Sequence, residues 1–263
     1  MADQTDLART FDRAASGYQA GRPDYPQELF DDLITLTGVQ QSSRLLEIGP
    51  GPGKATLPLA GRGYSITAVE PGGHLADEAR RNLAPYSVEI VQDSFEHWDP
   101  GEQRSFDLIY AATSWHWVDP AVKWAKAASL LAPGGHLAVF GAGHAFPAGF
   151  DPFFTEIQDV YNEIGEGLGE TWPPPPPDQQ PDPTPKYEES GHFTVDAVRR
   201  YVWALQYDAD HYLALLDTFS GHIAMRPAAR ERLYTAIRDK LAARPDGLLT
   251  RHWVSELVIA HPR

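Results

Sequence analysis

The sequence predicts an α/β protein built on a doubly wound, mostly parallel sheet. Three observations carry that expectation. Residues 45–56 read Leu-Leu-Glu-Ile-Gly-Pro-Gly-Pro-Gly-Lys-Ala-Thr, an apolar run closing on a glycine turn. From 43 to 141, strand-like and helix-like segments alternate. Apolar or β-rich runs also end in acids at Glu47, Glu70 and Asp93, at a regular spacing of 23 residues. A strand, a glycine turn and a helix open the doubly wound sheets, whose ligands sit beyond the carboxyl ends of the strands.

The elements follow in order. Pro26 to Leu36 reads as a helix: proline starts it, Leu29, Phe30, Leu33 and Ile34 form its apolar stripe, and Gly38 ends it. Strands are expected at 44–48, 65–70, 87–92, 106–111 and 135–141, with crossover helices near 53–61, 73–83 and 120–131. Pro58 removes a backbone donor inside the first of these, so that helix should be short or kinked. Helical crossovers of this length imply parallel strands with right-handed connections. Beyond 141 the rhythm breaks. Residues 152–165 pattern as an amphipathic helix through Phe153, Phe154, Ile157, Val160, Tyr161 and Ile164. Trp172 to Pro185 is too proline-rich for helix or central strand and reads as a stiff connector, with a polyproline ligand as the alternative. A strand over 198–205, helices near 209–219 and 227–243, and a last strand from Trp253 to Ala260 complete the sheet.

Composition narrows the function. The 263 residues suffice for one large α/β domain, and the absence of cysteine removes disulfides, thiol catalysis and thiolate metal sites. Ten histidines show no His-Glu-x-x-His spacing, so no metal site is expected. A net charge of −14 argues against a nucleic-acid partner, which needs a basic footprint. No apolar run reaches the ~20 residues of a membrane span, and the N-terminus lacks a signal-peptide pattern. A cytoplasmic enzyme acting on a small molecule is expected; the oligomeric state is left open.

The turn itself excludes two nucleotide motifs. A dinucleotide turn counted from Gly49 and Gly51 requires glycine at 54, which is Lys54. A phosphate-binding loop ending at Gly53-Lys54 requires glycine at 48 and a hydroxyl at 55, which are Ile48 and Ala55. Glu47 beside the turn would repel a pyrophosphate and suits a ligand with a positive end.

The acid-x-Gly-x-Gly-x-Gly pattern of Glu47, Gly49, Gly51 and Gly53, followed by Glu70 and Asp93, resembles the class I S-adenosylmethionine-dependent methyltransferases. Leu131 to Phe140, with its Ala-Pro-Gly-Gly turn, is similar to the family's entry into the fifth strand. The resemblance implies a Rossmann-like sheet of seven strands with the last antiparallel, in a single methyltransferase domain over 1–263. It implies S-adenosylmethionine as cofactor and S-adenosylhomocysteine as product. Glu70, with Pro71 beside it, would accept the ribose hydroxyls, and Asp93 would meet the adenine amino group, flanked by Ser94 and Phe95. Ala111 would lie against the cofactor, Arg22 would hold its carboxylate or an acidic substrate, and Tyr18 would close over it. Each acid taken alone could equally be a solvated strand end.

The acceptor side is expected after the fourth strand, at Ser114-Trp115-His116-Trp117, a segment similar to small-molecule methyltransferases of the trans-aconitate type. His116 is either a general base or a packed structural histidine. Trp115, Trp117, Phe146 and Trp172 suggest an apolar or aromatic acceptor. The implied activity is methyl transfer to an oxygen or nitrogen nucleophile, with carboxylates and aromatic hydroxyls among the candidates. A cofactor-binding protein diverted to cyclisation or isomerisation is the alternative. An N-terminal lid over 10–26 and a cap insertion over 142–195 are expected to exclude water from the site.

Overall fold

The structure, a computed structural model, describes residues 22–101, 105–167 and 172–263. Helix α1 (Gln27–Thr37) precedes the sheet and ends at Gly38, whose positive φ of 67° lets its N–H cap the Ile34 carbonyl. Then come β1 (Arg44–Ile48), α2 (Thr56–Ala60), β2 (Ser65–Val69), α3 (Gly73–Leu83), β3 (Val88–Val91), β4 (Phe106–Ala112), α4 (Lys123–Leu130) and β5 (Leu131–Ala145). Pro58 leaves α2 only five residues long.

The sheet has seven strands in the order β3-β2-β1-β4-β5-β7-β6, where β6 is Phe193–Tyr207 and β7 is Leu249–Pro262. Strands β1 to β5 pair in parallel, and β7 runs antiparallel to both its neighbours. The strand order turns back between β1 and β4. That is where an open α/β sheet leaves a crevice for a ligand.

Alternation along the strands sorts two layers of core. Leu45, Leu108, Tyr110, Ala138 and Phe140 pack with Leu29, Phe30 and Leu33 of α1. Leu46, Ile109, Ala111 and Leu137 face the other way, toward Ala127 and Leu130 of α4. A further cluster continues the α1 side of the sheet over Leu249 and Trp253. It joins Phe153, Phe154 and Ile157 to helices α8 (Ala209–Leu216) and α10 (Pro227–Ala242).

The last strand, antiparallel as expected, lies inside the sheet, and β6 forms one edge. Three sequence expectations are corrected. Strand β5 starts at Leu131, taking Pro133-Gly134-Gly135 into an irregularity in its pairing with β4, and runs on to Ala145. With β6 starting at Phe193, the insertion is 146–192 rather than 142–195. The helix expected over 152–165 is two, α5 (Phe153–Glu156) and α6 (Gln158–Glu163). Between them the Gln158 side-chain amide donates to the Phe154 carbonyl at 3.1 Å, the oxygen a continuous helix would offer to the Gln158 backbone. Within the insertion, the 3₁₀ turn Pro177–Gln179 and α7 (Thr184–Glu188) follow the proline-rich run. Helix α9 (Ser220–Ala224) lies between α8 and α10. No helix among the described residues is long and apolar enough to cross a membrane.

Candidate active site

A cavity of about 640 Å³ opens at the carboxyl ends of β1, β2 and β4. Its walls are the turn from Ile48 to Pro52, the Val69–Gly73 segment, Ser94-Phe95-Glu96, and the run from Ala112 to Val118 broken only by Trp115. Arg22, Pro23 and Tyr25 close one side, with Phe219 from between α8 and α9.

The turn is shaped by what its neighbours leave room for. Gly49 sits at φ 65°, and a Cβ there would come within 2.7 Å of the Ser114 Cβ. Ser114 in turn donates its hydroxyl to the Ile48 carbonyl, locking the β4 loop against the turn. Any larger residue at 49 would force these two walls apart.

Glu70, 5 % exposed, stands at the tip of β2 and faces the cavity. Its carboxylate accepts from the Gly51 N–H at 3.0 Å and the Gly72 N–H at 2.9 Å, one oxygen each. These bonds hold the carboxylate at the strand tip, against the glycine turn.

Glu47 has a different place. It is fully buried behind the turn, outside the cavity wall, where one oxygen accepts from Thr56 at 2.6 Å and from Tyr110 at 2.7 Å. Its other oxygen has no partner. Burial pushes its carboxyl up to about 7, against the lowering effect of the Thr56 and Tyr110 bonds. It braces the turn from behind.

On the β4 side, Thr113 has φ 59°, the one positive φ outside glycine among the described residues. Its hydroxyl pairs with the Tyr25 hydroxyl at 2.7 Å and its N–H donates to the Phe140 carbonyl at 2.8 Å. Backbone strain held by such bonds is commonest at ligand sites. His116 is exposed at the cavity rim, its ring 4.9 Å from that of Trp117. Crowding of its hydration, then the Lys123 and Lys186 charges, hold its imidazole below the usual histidine range. At neutral pH it is therefore an unprotonated proton acceptor.

Of the residues singled out in the sequence, Arg22, Gly49, Gly51, Glu70, Pro71, Ser94, Phe95, His116 and Trp117 meet at this cavity. Gly53 packs toward Leu83, Asp93 binds the Ser94 N–H at 2.8 Å, and Ala111 is buried in the sheet; none of the three lines the wall. Trp115 is core, edge-on to Trp124 at 5.2 Å. Phe146 and Trp172 pack together at 5.5 Å in the cluster over Trp253, away from the cavity wall. Of the described residues of the predicted cap, only Ala142 lines the cavity. Tyr18 and most of the 10–26 segment lie outside the described residues. Tyr25, Thr113 and Phe219 also line the wall, though none was singled out in the sequence. Tyr25 belonged to a segment already noted, whereas nothing local marks Thr113 or Phe219.

Comparison with known proteins places this geometry. Residues 46–139 match the methyltransferase domain family. With a SAM-dependent methyltransferase from Thiobacillus denitrificans, solved in complex with S-adenosyl-L-homocysteine, the structure superposes at a TM-score of 0.54, over 97% of this chain and 98% of that one. The fold is that of the class I methyltransferases. Sequence identity to that methyltransferase is 14%. A protein from Anaeromyxobacter dehalogenans, provisionally named a type II methyltransferase, shares the methyltransferase fold at a TM-score of 0.62 and 24% identity, covering 90% of this chain and 97% of that one. An uncharacterized methyltransferase of Mycobacterium tuberculosis is 36% identical over 132 residues, 50% of this chain and 51% of the relative. The chain thus spans about half the length of the curated relatives it matches first.

Proposed function

We propose that this protein transfers a methyl group from S-adenosylmethionine to a small-molecule acceptor. One observation carries the reading: the glycine turn, the Glu70 carboxylate and the His116-Trp117 rim form walls of one cavity at the switch point of a methyltransferase fold. The residues suit the cofactor. Glu70 puts a carboxylate, the group that accepts ribose hydroxyls, on the cavity wall, the turn admits no side chain at Gly49, and no phosphate-binding motif is present. When bound, S-adenosylmethionine supplies an electrophilic methyl on a sulfonium, and its departure leaves the neutral thioether of S-adenosylhomocysteine.

The chain's own part is alignment and exclusion of water. Glu70 and the turn hold one end of the cavity, and Phe95 and Val118 keep its wall apolar. Where the acceptor carries a proton, neutral His116 stands at the rim to take it. The net charge of −14 favours a small molecule over a nucleic acid.

The first expected result is S-adenosylhomocysteine binding in the micromolar range by calorimetry on the folded protein. No heat at high ligand concentration would remove the methyl-transfer reading.

A further inference from the structure

Arg251 lies on β7 with only 5 % of its surface exposed, and among the described residues it has no acidic partner. No carboxylate among the described residues forms an ion pair with it, and its Nε makes no hydrogen bond. Its guanidinium rests over the rings of Trp253 at 4.4 Å and Phe219 at 5.4 Å, with the Tyr207 and Tyr212 hydroxyls close enough to favour its charged form. Burying a cation without a counter-charge is costly enough that a balancing anion is the natural complement.

The surroundings are polar and incompletely partnered. Among the described residues, His144 Nε2 and His222 Nδ1 find no hydrogen-bond partner. Both imidazoles feel the Arg251 charge; burial first, then that charge, keeps His144 down near 2 and His222 near 4, so both are neutral. Tyr161 pairs with His222 Nε2 at 2.8 Å. The carboxylate whose charge reaches His222, Asp217, is already engaged by the Tyr234 hydroxyl at 2.6 Å and by Arg230 at 4.0 Å. Arg251 thus carries its positive charge beside neutral imidazoles in a chain of net charge −14.

Phe219 stands between Arg251 and the reaction cavity. It lines that cavity, and the Arg22 guanidinium lies over the same ring at 4.1 Å. We propose that Arg251, reached past Phe219, binds a carboxylate of the methyl acceptor. The proposal rests on the methyl-transfer reading and narrows its acceptor to a small organic acid. One guanidinium flanked by neutral imidazoles balances a single negative charge, which fits a carboxylate better than a dianionic phosphate. The apolar lining of the cavity itself, Phe95, Val118 and Phe219, favours an apolar body behind that group. A carboxylate held by arginine loses nucleophilicity, so it anchors the acceptor and a different atom receives the methyl.

The test compares phenylacetate with phenylacetamide by calorimetry, on protein with and without S-adenosylhomocysteine. Phenylacetate should bind at least tenfold more tightly than the amide. Arg251→Met should abolish that preference and leave S-adenosylhomocysteine affinity unchanged. In the unaltered protein, the Arg251 side-chain Nε–H resonance should shift with phenylacetate and not with the amide, a readout that stands even where the variant fails to fold. Equal affinity for acid and amide, no binding of the acid, or a preference that survives in Arg251→Met would overturn the proposal. The S-adenosylhomocysteine titration alone reads the methyl-transfer assignment, so the two failures are told apart.

Discussion

Glu47 and Glu70 have the same chemistry and occupy the ends of adjacent strands, yet the fold uses them in opposite ways. Glu70 holds two backbone N–H groups and faces the cavity, so its loss should be felt in ligand binding. Glu70→Ala is expected to weaken S-adenosylhomocysteine by about 1.5–3 kcal/mol, the scale of charge-assisted hydrogen bonds, and calorimetry on both proteins measures it. Unchanged affinity would place the ribose elsewhere. Glu47 should register in stability instead. Its folded carboxyl titrates near 7 against an ordinary 4.5, so the folded state prefers the protonated form. That preference is fully present below pH 4.5 and is lost as pH rises toward 7, a span of roughly 3 kcal/mol. Glu47→Gln, which cannot ionise, should therefore gain stability over the parent protein between pH 4.5 and 7 and hold the gain above 7. Thermal melts across that range would show a constant difference if Glu47 titrated normally.

Among the elements, the join between the insertion and the sheet is the most exposed to a single change. Asp151, just before α5, takes both guanidinium nitrogens of Arg244 at 2.6 and 3.0 Å, and accepts from the Phe153 and Thr250 N–H groups at 2.9 and 2.8 Å. Burial would raise its pKa, but the Arg244 bond and then these backbone donors hold it below the usual carboxylate range. One side chain thus ties the start of α5 to the chain after α10 and to the start of β7. Asp151→Ala should cost about 2–3 kcal/mol in urea unfolding at neutral pH. The contribution requires the ionised form, so it should disappear as pH falls through Asp151's lowered pKa. A loss of the same size in strong acid would point to packing instead.

Across the whole molecule, what could be seen in the sequence was local. A strand, a glycine turn and a short proline-limited helix are written in a dozen consecutive residues, and the acids at 47, 70 and 93 marked three strand ends. Nothing comparable marks Thr113, whose positive φ is imposed by Tyr25 and Phe140, or Phe219, brought to the cavity by helices that pack on another part of the sheet. Phe146 and Trp172 show the reverse error. Their aromatic character suggested a substrate wall, and it was used to build a core. We propose that the segments near the cavity and the insertion over 146–192 gain order together when ligand binds, because the insertion packs against the helices that carry Phe219. Hydrogen exchange with S-adenosylhomocysteine and phenylacetate should slow in 22–26, 146–167 and 217–225 as well as in the 48–53 turn. Protection confined to the turn would make the insertion a passive support.

The placement of β7 also orders events during synthesis. Strand β6 is fifteen residues long and pairs in the sheet with β7, which is made some forty residues later. A nascent chain that has delivered β1 to β5 can assemble the parallel half with its glycine turn, while β6 has no sheet partner. Only when β7 slides between β5 and β6 does Arg251 reach its buried position against the Phe219 ring. The half expected to grip the methyl donor can thus exist on the ribosome before the half expected to choose the acceptor, and an unpartnered β6 is the interval's hazard for wrong pairing between chains.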